Sequence, residues 1–267
     1  MKQLLTLIIF SIFCMTIACK QEIKEQEESV VLEAAIDTLP YEMNRIFRTE
    51  ADCEESDDKD CAKIEINYIT FSEAPSDSVL EKLNMNLLDE LRGEGYTNVV
   101  AYANGFIRDF VKDKAEIPNM ATWNAEIDQK VRFNTPEFIC IETNQYTYTG
   151  GAHGIYGTSY ENYNRNTGEL IELADLFVSG SEKLLLSTGE KYFRESMGIA
   201  SSESFDQTGY TFPNDKFYLP KNFGLTKEGI TFLYNIYEIA PYVQGEQEFT
   251  IPYGVLRTIL KKNDVLL

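Results

Sequence analysis

Two long runs in the middle of the chain constrain the fold more than any other feature. Residues 121–133 and 137–148 both alternate apolar and polar side chains, and Thr135-Pro136 lies between them. Alternation with a period of two is typical of a strand that buries one face. Because only a few residues separate the two runs, we expect long strands of a mainly antiparallel sheet.

The rest of the pattern separates helices from strands instead of alternating them. Ser76 or Asp77 caps a predicted helix that ends at Gly93, because the apolar residues between them recur at helical spacing. Further helices are predicted over 104–114, 181–198 and 255–262, and further strands over 64–71, 158–164, 217–220, 229–237 and 248–253. This segregation predicts an α+β fold in which a mainly antiparallel sheet packs against a few helices, in two linked subdomains.

The first 40 residues predict export and a lipid anchor. Lys2 precedes an apolar run over residues 4–13, and small residues lead to Cys19. We interpret 1–18 as a lipoprotein signal peptide, Cys19 as the lipid attachment site and 19–40 as a flexible acidic tether. The alternative, an uncleaved membrane helix, stays open, although the run is short of the ~20 residues that span a bilayer. The protein is thus expected outside the cytoplasm, at the outer membrane or cell surface.

The charge of the chain restricts its partners. Lys and Arg number 24 against 43 Asp and Glu, which gives a formal net charge of −19. Such a surface repels phosphate groups, so nucleic acid is excluded as a partner and cationic molecules are favoured. The acidic run over 52–60 lacks the glycine and the final glutamate of an EF-hand loop, so we interpret it as a solvated loop.

The cysteines fit an exported protein. Cys53 and Cys61 are eight residues apart and would form a disulfide in an oxidising compartment. Cys140 lies within an apolar strand pattern and is expected to be a buried thiol that packs as a small hydrophobe.

The candidate ligand-binding residues surround the single histidine. His153 follows two glycines, which allow a tight turn or a close approach to a ligand. It could bind a ligand or act as an acid or base, or it could be structural. Tyrosines on the adjoining strands could stack on sugar rings or anchor a protein partner. The candidate set is Tyr148, Gly150, Gly151, His153, Tyr156 and Tyr160.

No complete catalytic set is recognisable in the sequence. A single histidine excludes zinc sites built from several histidines, and no Gly-x-Ser-x-Gly elbow is present. We therefore expect no metal and no cofactor. Glycoside hydrolysis by two carboxylates remains an alternative, with His153 and candidates such as Glu142, Glu161 or Asp175.

Three stretches together resemble a known family. They are Tyr148-Thr-Gly-Gly-Ala-His-Gly154 with the segment 162–177, the segment Gly229-Ile-Thr-Phe-Leu-Tyr-Asn-Ile-Tyr-Glu-Ile-Ala-Pro-Tyr-Val-Gln-Gly245, and Ile251-Pro-Tyr-Gly-Val-Leu256. The chain resembles, over roughly residues 40–262, the extracytoplasmic domain of unknown function of RsiV-type anti-sigma factors and PdaC-type peptidoglycan deacetylases. The resemblance implies two linked parts, which we place at 41–150 and 151–267.

The resemblance also implies a role in the cell envelope. RsiV-like relatives bind lysozyme through this domain, and PdaC-like relatives carry it beside a separate deacetylase domain. We therefore expect a lipid-anchored, non-catalytic module that binds a cationic, lysozyme-like protein or peptidoglycan glycan. The alternatives are an enzyme acting on cell-wall glycan and a structural lipoprotein that takes part in envelope assembly.

Overall fold

The computed structural model of the protein describes residues 38–51, 53, 61–117 and 119–261. The predicted signal peptide, the lipid attachment site Cys19 and nearly all of the predicted tether and acidic run lie outside these residues. Within the described part of the chain, no helix is both long and apolar enough to cross a membrane.

The first sheet contains five strands in the order of the sequence. Its strands are β1 (Tyr41–Thr49), β2 (Lys63–Phe71), β3 (Asn124–Asn134), β4 (Phe138–Tyr148) and β5 (Ile155–Asn164). All neighbouring strands are antiparallel except β2 and β3, which are parallel. The parallel pair arises because the chain crosses over through two helices between β2 and β3.

The two crossover helices, α1 (Asp77–Leu91) and α2 (Val99–Glu116), cover one face of this sheet. Ser76 caps α1, because its side chain accepts a hydrogen bond from the Val79 backbone N–H. Helix α2 begins five residues before its predicted start, since Asn98 caps it in the same way. The other face of the sheet carries mostly polar side chains where it is uncovered.

The second sheet is smaller and fully antiparallel. It consists of β6 (Phe223–Leu225), β7 (Ile230–Tyr234) and β8 (Gln247–Ile251), in that order. The chain reaches it through the short helix α3 (Leu173–Leu176) and the longer α4 (Glu182–Met197), and a short helix α5 (Tyr253–Leu256) follows. Phe193 of α4 is fully buried, and its ring contacts a cluster of aromatic rings from this sheet and the preceding loop. These observations confirm the α+β fold.

Other predicted elements also differ from the structure. Residues 217–220 form no strand; their alternation arises because Phe217 packs in the aromatic cluster and Leu219 packs on Gly189 of α4. The second sheet instead includes β6, which is too short to show an alternation of apolar and polar residues. The predicted helix over 255–262 is confined to α5, and a turn follows it.

Asparagine side chains join the outer edge of β5 to the second sheet. Asn222 accepts from Tyr160 N at 2.8 Å and donates to the Thr158 carbonyl, and Asn235 accepts from Thr158 N at 2.7 Å. Asn162 donates to the Phe223 carbonyl at 2.8 Å and accepts from Leu225 N at 2.7 Å. The amides therefore satisfy backbone groups that an edge strand would otherwise leave unpaired.

Replacing Asn162 with alanine should lower the free energy of unfolding by about 2–4 kcal/mol, because two buried backbone groups would lose their partners. Urea unfolding measures the change. Asn166→Ala, at an exposed position with a long 3.4 Å hydrogen bond, is the control and should change stability by less than about 0.5 kcal/mol. Equal effects of the two substitutions would contradict the role given to Asn162.

Candidate binding surface

The glycine turn between β4 and β5 places His153 at the surface. Gly150 and Gly151 have φ values of 106° and 99°, which side chains other than glycine rarely adopt. The Tyr148 hydroxyl donates to the Gly151 carbonyl at 3.0 Å and closes the turn. Gly154 lies so close to the Tyr146 ring that a Cβ there would be 2.4 Å from it. His153 itself is exposed, so the turn does not enter the core.

The loop between β7 and β8 contacts this turn. The His153 ring stacks on Tyr242 with centroids 4.1 Å apart, and Tyr156 contacts the same tyrosine edge-on at 5.6 Å. His153 Nδ1 donates to the Gly154 carbonyl at 2.8 Å, so in the neutral ring Nε2 accepts from the Tyr237 hydroxyl at 3.4 Å. Two segments that are distant in sequence therefore form one group of rings.

We call His153, Tyr156, Tyr237 and Tyr242, with the adjoining Ile155 and Val243, the aromatic surface. Tyr237, Ile155 and Val243 are 59%, 63% and 89% exposed, although all three are large and apolar or aromatic. Tyr237 also has a φ of 67°, a left-handed conformation that is costly for a bulky residue. Exposed apolar side chains held in a strained loop are typical of a binding site.

An acidic cleft of about 230 Å³ borders the aromatic surface. Strand register forms its floor, because Glu126, Tyr146 and Tyr156 are direct neighbours across β3, β4 and β5. Residues paired across strands lie on the same face of a sheet, so these side chains project together. The cleft is lined by Glu126, Asp128, Asn144, Gln145, Tyr146, Tyr156, Gly157, Thr158 and Glu246.

Glu246 comes from the β7–β8 loop and closes one side of the acidic cleft. Its Oε2 accepts from the Thr158 hydroxyl at 3.2 Å, and its Oε1 is buried without a hydrogen-bond partner among the described residues. Burial raises the pKa of Glu246, and the nearby charges of Glu248 and Glu142 raise it further. This side of the cleft is therefore strongly electronegative when the three carboxylates are ionised.

The cationic groups near the cleft do not balance its carboxylates. Lys130 pairs with Asp128 at 3.0 Å, and Arg132 pairs with Glu142 at 3.2 Å. Glu126 and Glu246 form no salt bridge in the described part of the chain. The region therefore favours a positively charged ligand group.

The predicted candidate residues separate into two locations. Tyr148, Gly150, Gly151, His153 and Tyr156 lie together at the turn, as described above. Tyr160 does not join them: it is buried beneath the second sheet, where its hydroxyl donates to Glu248 at 2.9 Å. Burial raises the pKa of Tyr160, so it is a neutral donor to that carboxylate.

Local sequence patterns do not distinguish Tyr237, Tyr242 or the carboxylates that line the acidic cleft. Tyr237 and Tyr242 lie in the segment 229–245, which carries part of the family resemblance. Nothing in its residue pattern marks either tyrosine as a binding residue. Glu126 and Asp128 look like the solvent-facing positions of any half-buried strand. These tyrosines and carboxylates become parts of one surface only because the second sheet places the β7–β8 loop beside β4 and β5.

The three carboxylates considered for catalysis do not converge on His153. Glu142 pairs with Tyr160 and Glu161 pairs with Ile141 in the β4–β5 ladder, so the two glutamates lie on opposite faces of the sheet. Asp175 caps α3, where it accepts from the Glu172 backbone N–H at 3.0 Å. Among the described residues, the ring nitrogens of His153 form hydrogen bonds only with Gly154 and Tyr237.

Glu161 occupies an unusual position beneath helix α1. It accepts from the Tyr163 hydroxyl at 3.1 Å, and the carboxyl group of Glu90 on α1 is near enough to act on its charge. Burial raises the pKa of Glu161 to about 8, with a further contribution from the charge of Glu90. Glu161 therefore binds its proton more tightly than an exposed glutamate does.

The cysteines lie away from the aromatic surface. A disulfide joins Cys53 to Cys61, with Cα atoms 6.2 Å apart. Glu50 lies close to both sulfurs, but disulfide-bonded sulfurs are not metal ligands, and Glu50 itself pairs with Lys114 at 2.9 Å. Cys140 is buried and not disulfide-bonded, and burial raises its pKa to about 12. Its thiol is thus neutral and inert at physiological pH.

Two family profiles match adjacent parts of the chain. The family described as "Deacetylase PdaC" matches residues 55–156, and the family described as "Protein of unknown function (DUF3298)" matches residues 174–254. The protein therefore carries a PdaC-type domain and a DUF3298 domain as two linked parts, which confirms the predicted resemblance. The division at residue 150 stays a prediction. The glycine turn lies in the first match and the β7–β8 loop in the second.

Relatives and solved structures agree with this assignment. The peptidoglycan-N-acetylmuramic acid deacetylase PdaC of Bacillus subtilis is 22% identical over 202 residues, which cover 74% of this chain and 38% of the relative. The chain thus spans well under half of that relative. A DUF3298 protein from Bacteroides fragilis is 25% identical with a TM-score of 0.72, covering 86% of this chain and 97% of its own. One from Pseudomonas aeruginosa is also 25% identical, with a TM-score of 0.66 and coverages of 85% and 96%.

Proposed function

We propose that the protein is a non-catalytic binding module of the cell envelope that recognises a cationic, lysozyme-like protein. In this proposal Cys19 carries the lipid that anchors the module outside the cytoplasm. The observation that carries the proposal is the contact between the aromatic surface and the acidic cleft. Exposed rings supply an apolar anchor, and the adjacent carboxylates supply the charge that attracts a cationic partner.

The physical features of the surface suit a protein ligand. Tyrosines bury a large apolar area with little loss of side-chain entropy and keep a hydroxyl for hydrogen bonding, so they are common binding hot spots. The net charge of −19 adds long-range attraction for a cationic protein and speeds association. No set of catalytic side chains assembles around His153 in the described part of the chain, which favours binding over turnover.

The relatives support a role at the cell wall. The matched deacetylase is named for an activity on peptidoglycan, and this chain corresponds to only 38% of that protein. Peptidoglycan glycan is therefore the second candidate ligand, and the specific observation in its favour is the neighbouring Tyr146 and Tyr156 at the acidic cleft. Rings can stack on sugars while the cleft's polar groups accept hydrogen bonds from sugar hydroxyls.

Titration calorimetry of the purified protein with lysozyme and with peptidoglycan fragments tests the proposal. We expect lysozyme binding that weakens at least about tenfold between low salt and high salt, because salt screens the exposed charges. A cationic protein of similar size and unrelated fold, such as cytochrome c, controls for charge alone. Absence of binding to both ligands would contradict the proposal, and so would peptidoglycan turnover that is lost in His153→Ala.

A further inference from the structure

Strand β1 forms one edge of the five-stranded sheet, and no strand among the described residues pairs with its outer side. All of its nine residues pair with β2 without a bulge. The Pro40 carbonyl accepts a hydrogen bond from the Ser72 backbone N–H of the β2 side. In an antiparallel pair, the backbone groups of every second residue point toward the same neighbouring strand. Even-numbered residues of β1 therefore bond β2, whereas odd-numbered residues direct their N–H and C=O groups outward.

The opposite edge of the same sheet is treated differently. Side-chain amides of Asn222 and Asn235 bond the outward backbone groups of β5, and Leu170 and Ile171 pair with the end of that strand. Such closure is how native proteins prevent unwanted strand pairing. Strand β1 has no equivalent closure within the described ranges, and no proline or bulge interrupts it.

We propose that β1 pairs antiparallel with β1 of a second copy of this chain, which gives a two-fold symmetric dimer with one continuous sheet. Complete overlap of two nine-residue strands puts Arg45 on the two-fold axis. Tyr41 then pairs with the partner's Thr49, and Met43 pairs with the partner's Phe47. Every one of these residues is odd-numbered, so the outward N–H and C=O groups of both copies meet in hydrogen-bonded pairs.

The side chains of β1 are complementary in this register. Glu42 lies directly opposite the partner's Arg48, and symmetry repeats this ion pair at the other end of the interface. Met43, which is 53% exposed, lies opposite the partner's Phe47 and gains an apolar neighbour. The like charges of the two Arg45 residues at the axis are offset because each donates two hydrogen bonds to Glu65, at 2.9 and 3.0 Å.

One existing contact lies at the proposed interface. The Arg48 guanidinium donates to the Phe47 carbonyl at 2.7 Å, and that carbonyl is one of the outward-facing groups. A carbonyl oxygen has two lone pairs, so it can accept a ladder hydrogen bond as well. Arg48 Nε also donates to Asn104 of α2 at 2.8 Å, which holds the guanidinium near the edge.

Sedimentation velocity of the purified protein over a wide concentration range tests the proposal. We expect a monomer–dimer equilibrium that Met43→Pro weakens by about tenfold or more, because proline removes one outward N–H from each copy. The β1–β2 ladder should survive, since the N–H of Met43 does not bond β2. Met43→Ala keeps the N–H and is the matched control, with an expected change of less than about threefold.

A charge exchange tests the register independently of proline. Glu42→Lys should weaken the dimer by about fivefold at low salt, and adding Arg48→Glu should restore it, because the pair is re-formed with reversed charges. Circular dichroism checks that each variant is folded. If Met43→Pro unfolds the protein, the charge exchange alone tests whether β1 forms the dimer.

Hydrogen exchange identifies the strand that is protected. In the dimer, the amides of Tyr41, Met43, Arg45, Phe47 and Thr49 should gain protection as concentration rises. A protein that stays monomeric up to millimolar concentration would overturn the proposal. A dimer insensitive to Met43→Pro and to the charge exchange would overturn it too. Protection of these amides only on addition of an extended peptide would show that β1 binds a different partner.

Discussion

Replacing Tyr242 with alanine should weaken lysozyme binding by about 30-fold, equivalent to about 2 kcal/mol. Tyr242 is the ring that His153 stacks on and that Tyr156 contacts edge-on, so its loss removes the centre of the aromatic surface. The neighbouring rings would also lose their fixed positions. Calorimetric titration of the variant and the unmodified protein, in the same low-salt buffer, measures the change.

The matched control for this prediction is Tyr41→Ala. Tyr41 is also a partly exposed tyrosine, at 44%, but it contacts Phe71 at the start of β1 and takes no part in the aromatic surface. We expect its substitution to change lysozyme affinity by less than about twofold. Unchanged binding in Tyr242→Ala, with the fold intact by circular dichroism, would move the binding site away from this surface.

Stability should fall as pH rises from about 5 to about 8, and Glu161→Gln should remove much of this fall. Burial raises the pKa of Glu161 to about 8 in the folded protein, from 4.5. Between these two pKa values the folded state binds more protons than the unfolded state, so raising the pH favours unfolding. Glutamine stays neutral and can still accept from the Tyr163 hydroxyl. At pH 8 the variant should therefore be more stable by on the order of 3 kcal/mol.

Urea unfolding at several pH values measures this effect. Glu169→Gln is a suitable control, because Glu169 is an exposed carboxylate that pairs with Lys82 at 3.1 Å. Its substitution should leave the slope of stability against pH nearly unchanged. If Glu161→Gln and the unmodified protein show parallel pH profiles, Glu161 is ionised in the folded state at neutral pH.

Local sequence patterns predicted most of the elements of the first sheet and its helices. Alternation identified β2, β3, β4 and β5, and the spacing of the leucines with the Ser76 cap identified α1. These features depend on neighbours in sequence. The parallel pairing of β2 with β3 could not be predicted, because it depends on how the two crossover helices pack.

The second sheet was harder to predict for a different reason. Phe217 and Leu219 alternate with polar residues, but they pack against α4 instead of entering a ladder. Strand β6 has only three residues and no periodicity of its own. Its pairing is fixed by the amide of Asn162, whose partners lie more than 60 positions away in sequence.

Part of the candidate site was visible in the sequence. The glycines at 150 and 151 indicated a tight turn or a close approach to a ligand beside His153 but left open whether the histidine is structural. The structure shows that His153 is exposed on this turn. Tyr160 belongs to the same tyrosine-rich strand, but the second sheet buries it. Tyr237 and Tyr242 reach His153 only because β7 and β8 dock beside β5.

The sequence by itself determined most elements of the first sheet, the acidity and the glycine turn beside His153, because periodicity, net charge and glycine conformation are properties of neighbouring residues. The tertiary structure alone decided which tyrosines are exposed, which carboxylates line the cleft and which edge of the first sheet has no partner strand among the described residues. Those properties depend on contacts between segments that are tens of residues apart. The local pattern of residues along the chain does not indicate such contacts. At the aromatic surface and the cleft they form because the second sheet packs against β5.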